Sequence, residues 1–136
     1  MTGEKLYAVD ASFMSERDNA MQGDNLGWRL ETIVYLELLR RARGEFKDVY
    51  YFEDGAHECD FLVCDHRRAE ALFQVTYDMS NPKTRKREIG GAIAAAKATG
   101  LKEATIVTYC ELEDIVDPSG ITIHLVPVAD WIVAVA

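Results

Sequence analysis

Residues 56–78, AHECDFLVCDHRRAEALFQVTYD, hold the side chains best placed to do chemistry. The run 58–64 is apolar except for its acids, Glu58 and Asp60, and the run 71–77 carries Gln74 and Thr76. Strand side chains alternate between faces, so Asp60 shares a face with Glu58 and Leu62, and Gln74 shares one with Leu72 and Thr76. If the two strands pair, Asp60, Gln74 and Thr76 converge on one patch. A hard divalent cation prefers oxygen ligands. Two strands that deliver a lone Asp and then a polar-x-polar pair are the skeleton of a site at which a metal-activated water attacks a phosphodiester.

The elements that must position this patch are legible on either side. Residues 24–43 read as the strongest helix, with Asp24 or Asn25 to cap it and Gly44 to end it. Leu26, Leu30, Ile33 and Val34 recur at helical spacing and predict its apolar face. Glu31 lies at the flank of that face, where a carboxylate reaches over a sheet edge without full burial. Glu37 lies near its middle and is expected either to pair with a cation such as Arg41 or to serve the site. Arg40, Arg41 and Arg43 sit in the last turn, where cations suit the helix dipole; contact with nucleic acid is the alternative. Residues 47–53, KDVYYFE, read as a strand, and Asp54-Gly55 as its turn into the Asp60 strand. Residues 65–70, DHRRAE, read as the next turn.

Asn81 and Pro82 predict the start of a second helix, and Gly100 its end. Gly90-Gly91 and the alanines after them predict that it lies very close to the sheet. Lys83, Arg85, Lys86 and Arg87 crowd its first turns, where the dipole disfavours cations. They form either a solvated basic face or an anion or nucleic-acid contact. Residues 104–109 and 121–126 read as further strands, 111–120 as an acidic turn-rich connection, and Pro127 as the start of a short final helix. Residues 6–9 could add a short strand, within an irregular arm over 1–23 packed on a domain spanning 24–136. Three strands in a meander followed by a helical crossover predict an α/β fold, a mixed sheet flanked by helices.

Composition narrows the functional classes. The 136 residues suffice for one ordinary domain. No apolar stretch approaches the roughly 20 residues that span a bilayer, and MTGEKLYAVD has no secretory pattern, so a cytoplasmic protein without a membrane partner is expected. The three cysteines, Cys59, Cys64 and Cys110, fit buried thiols in a reducing compartment. Cys59 and Cys64 lie five apart on one strand and are expected to face opposite ways, which argues against a metal or redox pair. His57 and His66 flank the Asp60 strand as surface residues or, alternatively, metal ligands; His124 is assigned no role. The net charge of −8 disfavours unspecific binding to nucleic acid. No GxxxxGK[ST] motif is present, so the chain does not itself bind a nucleotide in that way.

Six stretches, taken in order, carry a resemblance over nearly the whole chain: LYAVDASF, GWRLETIVYLELLRR, VYYFEDGAHECDFLV, ALFQVTYDMSNPKTRKREIGGAIAAAK, LKEATIVTY and ITIHLVPVADW. The series resembles the PD-(D/E)XK restriction-endonuclease-like fold and, more narrowly, the C-terminal domain of archaeal-type prokaryotic AAA+ ATPases. The resemblance implies an ATPase module in the same or a neighbouring chain. It also implies a site made from a helix Glu, a strand Asp and a Glu-x-Lys strand, holding Mg²⁺. By position these are Glu31, Asp60, Gln74 and Thr76. Gln74 replaces a carboxylate with a neutral amide, and Thr76 replaces the lysine with a hydroxyl, so the site is expected to be degenerate. The function implied is a non-catalytic binding or regulatory domain, with nucleic acid as one partner. The alternatives are an Mg²⁺-dependent nuclease whose basic group has migrated to Arg85, Lys86 or Arg87, with Glu58 joining Asp60 at the metal, and a purely protein-binding domain.

Overall fold

A computed structural model describes residues 5–8 and 25–134. Apart from residues 5–8, the expected arm over 1–23 lies outside the described residues, and so does the cap at Asp24 or Asn25. In chain order the elements are β1 (Lys5–Ala8), α1 (Asn25–Glu45), β2 (Asp48–Glu53), β3 (Glu58–Asp65), β4 (Arg68–Val75), α2 (Pro82–Thr99), β5 (Glu103–Thr108), β6 (Glu113–Val116), β7 (Thr122–Pro127) and α3 (Val128–Val133). The strands form one mixed sheet in the order β1-β2-β3-β4-β5-β7-β6. β1 to β4 pair antiparallel, while β4–β5 and β5–β7 are parallel. The mixed α/β sheet flanked by helices is as expected, and the short strand read at 6–9 is present as β1, paired with β2. One strand is additional. β6 lies inside the supposed connection 111–120 and pairs antiparallel with β7 at the sheet edge. It has four residues, mostly exposed, so its sequence carries too little apolar alternation to mark it.

Two cores lie on opposite faces of the sheet. One gathers Cys59, Leu62, Leu72, Ile106 and Ile123 under Ala92, Ala95 and Ala96 of α2. The other gathers Phe61, Val75 and Val107 under Leu30, Val34, Tyr35 and Leu38 of α1 and Trp131 of α3. The buried face of α1 is thus rotated from the expected one: Leu26 and Ile33 are about half exposed. Nor does α1 stop at Gly44. Lys47 N–H donates to the Ala42 carbonyl and Phe46 N–H to the Arg43 carbonyl, with Phe46 at φ 58°. This is a Schellman end built on a non-glycine residue.

α2 follows its sequence signals. The Asn81 side chain accepts from Lys83 N–H, Pro82 opens the helix, and Gly100 at φ 80° closes it. The turn between β3 and β4 is shorter than DHRRAE suggested. His66 and Arg67 both take positive φ, at 50° and 70°, as a two-residue hairpin turn requires. Neither is Gly or Asn, so the tight turn had no local marker. β4 in consequence begins at Arg68 and ends at Val75, leaving Thr76 just beyond it.

The register of β3 shifts against β2 between Tyr50 and Phe52, opposite residues 59–62. The bulge resets the alternation of side chains. Cys59 and Cys64 therefore enter the same core rather than opposite ones. Burial raises both thiols, Cys64 to about 11, and no disulfide joins them.

Candidate functional site

The β3–β4 register brings Phe61 opposite Phe73, so Asp60 and Gln74 meet one step further along. There the two side chains stitch the strands together. Gln74 Oε1 accepts from Asp60 N–H at 2.8 Å, while Asp60 Oδ2 accepts from Val75 N–H at 2.8 Å. Gln74 Nε2 donates to the Glu58 carbonyl at 2.8 Å and to the Glu88 carbonyl of α2 at 3.2 Å. Gln74 and Asp60 are almost wholly buried, at 2% and 5% exposed. Buried polar groups must find partners, and the Gln74 amide is matched to its surroundings in both its donors and its acceptor. Gly91 makes the arrangement possible. A Cβ there would overlap the Glu58 carbonyl oxygen and come within 2.5 Å of Gln74 Nε2. The close approach of α2, read from its glycines, thus has a specific target.

An open cleft of about 1180 Å³ lies over this interlock, lined by Glu31, Glu58, Asp60, Gln74 and Thr76 on one side and by Lys83, Lys86, Arg87 and Glu88 of α2 on the other. All four residues of the expected catalytic set therefore line the same cleft. Glu31 is buried rather than poised at the flank, at 4% exposure. Thr76 N–H continues the parallel ladder to Val107 O at 3.0 Å.

The basic residues separate. Lys83, Lys86 and Arg87 face the cleft. Arg85 does not line it and pairs with Glu113 of β6 at 2.6 Å. On α1, Arg40 and Arg41 both bind Glu37, and the Arg40 hydrogen bond, with Arg41 behind it, lowers the Glu37 carboxyl to about 2. Arg41 also stacks over the Trp131 ring and donates to the Trp131 carbonyl. Glu37 and Arg41 thus clamp α3 onto α1 and stand outside the cleft lining. His57 packs beside Gly90, and His66 sits on the exposed hairpin turn against Asp65. His124, which carried no sequence signal, bridges Asp114 and Glu103, and both carboxylates raise its pKa.

The donor set does not fit Mg²⁺. Gln74 turns its oxygen to a backbone N–H and its nitrogen to two carbonyls, so it offers the cleft no ligand. Asp60 has one oxygen held by Val75. Among the described residues no three His, Cys, Asp or Glu side chains converge as a metal-binding group.

Sequence reasoning missed one feature of the cleft. Tyr77 and Tyr109 stack with ring centroids 4.9 Å apart and planes 13° from parallel. The signal was present as two identical triplets, Val75-Thr76-Tyr77 and Val107-Thr108-Tyr109. Val75 and Val107 are register partners on parallel β4 and β5, which sets the two tyrosines side by side at the carboxyl ends of both strands.

These features define a mixed α/β domain with a polar cleft over a hydrogen-bonded strand junction. No family model matches the chain, and no solved structure matches it. It is similar to Uncharacterized protein MJ1544 of Methanocaldococcus jannaschii, with 32% identity over 132 residues, which cover 93% of this chain and 29% of that protein. The chain therefore spans less than a third of the length of the curated relative it matches. Among the described residues no helix is long and apolar enough to cross a membrane.

Proposed function

We propose that this chain is a nuclease-like domain that does not cleave, and that it serves as a binding and regulatory module of a cytoplasmic AAA+ ATPase. One observation carries the reading. The side chain at the position of the missing carboxylate, Gln74, holds the backbones of Glu58, Asp60 and Glu88 together. A residue of β4 that binds three backbone groups on β3 and α2 is a structural strut. Thr76 adds no cation to replace the lost lysine. The free thiols of Cys59, Cys64 and Cys110 suit a reducing compartment.

The test is calorimetric titration of Mg²⁺ and Mn²⁺ into wild type and Asp60→Ala, alongside incubation with single- and double-stranded DNA and RNA. The expected result is no site-specific metal binding at millimolar concentration and no cleavage. Metal-dependent cleavage that disappears in Asp60→Ala would overturn the reading.

A second reading has one observation in its favour: Lys86 and Arg87 line the same cleft as Asp60. A nuclease with a migrated basic group would cleave, and would lose cleavage but not its fold in Lys86→Ala or Arg87→Ala.

A further inference from the structure

The cleft is built on the first turns of α1, through Gly27 and Glu31, and the opposite end of the helix carries an anomaly. Phe46 is 91% exposed, more than any other large apolar side chain among the described residues. It also holds φ 58°, at the helix-ending position that glycine usually takes because the left-handed conformation costs glycine nothing. A bulky residue there is a backbone outlier, and its ring gains no burial within its own chain in return.

The neighbours of Phe46 on both sides, Glu45 and Lys47, line a second hollow of about 220 Å³. Its apolar walls include Ala42 of α1, Val63 of β3, and Ala71 and Phe73 of β4. A phenyl ring fits such a space, since a dry cavity of about 150 Å³ takes up benzene. Phe73 already meets Trp131 edge to face with centroids 5.6 Å apart, and an incoming ring adds a second aromatic neighbour. Phe46 does not fill the hollow it borders.

The charges around this hollow are balanced. Arg41 and Lys47 line it against Glu45 and Glu70, and Lys47 is paired with both of those acids. Arg41 is held by Glu37. The cleft, by contrast, is lined by six carboxylates against three Lys or Arg. Two copies of a chain of net charge −8 repel one another, so a patch with paired charges is where they can approach.

We propose that Phe46 and this hollow are the two halves of a self-complementary interface, in which two copies of the chain pair about a twofold axis and each Phe46 ring enters the other's hollow. A twofold interface uses the same patch on both copies, so knob and hole must lie side by side on one surface, as they do here. A different partner would need only one of them. Each ring buries about 150–250 Å² and covers a comparable area of wall, so the two contacts supply about 600–1,000 Å². That falls short of the roughly 1,200 Å² of a stable interface, so the dimer is weak and reversible. The hollow shares no lining residue with the cleft, and pairing does not depend on whether the cleft cleaves.

Sedimentation velocity of the chain from about 1 µM to about 1 mM measures the association. Wild type should dimerise reversibly, with a Kd of about 10–300 µM. Phe46→Gly removes the knob and suits the backbone. It should weaken the dimer at least about tenfold and melt no lower than wild type in dilute solution. Ala71→Leu, which fills the hollow and keeps the knob, should weaken the dimer similarly. Mixed together, the two variants should associate with each other more tightly than either does with itself, because one knob-and-hole contact is restored. Phe46→Gly alone decides the matter if Ala71→Leu does not fold.

A wild type that stays monomeric at about 1 mM would overturn the proposal and leave the patch to another partner. An unchanged dimer in Phe46→Gly would also overturn it, as would a mixture of the two folded variants that associates no more tightly than either alone. So would a lower melting temperature in Phe46→Gly, which would mean that the ring is held by its own chain.

Discussion

The strand junction beneath the cleft and the α2 wall beside it both carry polar side chains, but they treat them differently. At the junction, Asp60 and Gln74 are buried and directed at backbone groups. On the wall, Lys83, Lys86 and Arg87 are exposed. Leaving a buried polar group without a partner costs about 1–3 kcal/mol. The junction has therefore been drawn into the architecture, whereas water solvates the wall. A buried polar junction is stable only if its inward groups find protein partners, and Gln74 does this with a neutral amide.

The sharpest way to break the contrast is Gln74→Glu. It sets a carboxylate against the Glu58 and Glu88 carbonyl oxygens and removes both donors. A loss of about 3–5 kcal/mol at pH 7 is expected, as for other uncompensated buried charges. Burial raises the folded-state pKa of such a Glu above its unfolded value of about 4.3. The loss therefore grows as pH rises above that value and shrinks below it, where the neutral acid regains one donor. Urea unfolding at pH 4 and pH 7 measures both. A loss below about 1 kcal/mol at pH 7 would mean that the junction is no more structural than the wall.

Gly91→Ala comes next. The added methyl meets backbone at the Glu58 carbonyl, which cannot swing aside, so about 1–3 kcal/mol should be lost. Gly90→Ala, one position away, meets only the His57 ring at 3.5 Å and should be tolerated or slightly stabilising. Equal melting temperatures for the two variants would remove Gly91 from the account.

Two surface clamps should show smaller effects and opposite pH dependence. His124 is raised by Glu103 and then Asp114. Its contribution is complete below its unfolded pKa of about 6.5 and is lost as pH rises through the higher folded value. His124→Gln should thus be less stable than wild type near pH 6, by less than about 1 kcal/mol, and the gap should narrow by pH 9. Glu37 is lowered to about 2, chiefly by Arg40. Its contribution is present above the unfolded carboxyl value and is lost as pH falls through the folded one. The deficit of Glu37→Gln should therefore persist at pH 7 and fade between about pH 4 and pH 2. Melting temperatures across these ranges check both signs.

Much of the architecture followed from local signals. Alternation in 58–64 and 71–77 identified β3 and β4, and hydrophobic register across a pair sets which residues meet. That is why Asp60 and Gln74 could be expected together. Asn81, Pro82 and Gly100 bounded α2, and its glycines announced the close approach to the sheet. Tertiary structure alone decided where the polar atoms point. A bulge in β3 put Cys59 and Cys64 in one core, a long-range partner took Arg85 to Glu113, and α1 turned Glu31 inward with Leu30 and Val34. Gln74 could have faced the cleft, and it faces backbone groups of both β3 and α2 because α2 descends onto the sheet at Gly91. Periodicity is a property of neighbours along the chain, whereas a hydrogen bond between residues 74 and 88 depends on a helix that has yet to dock.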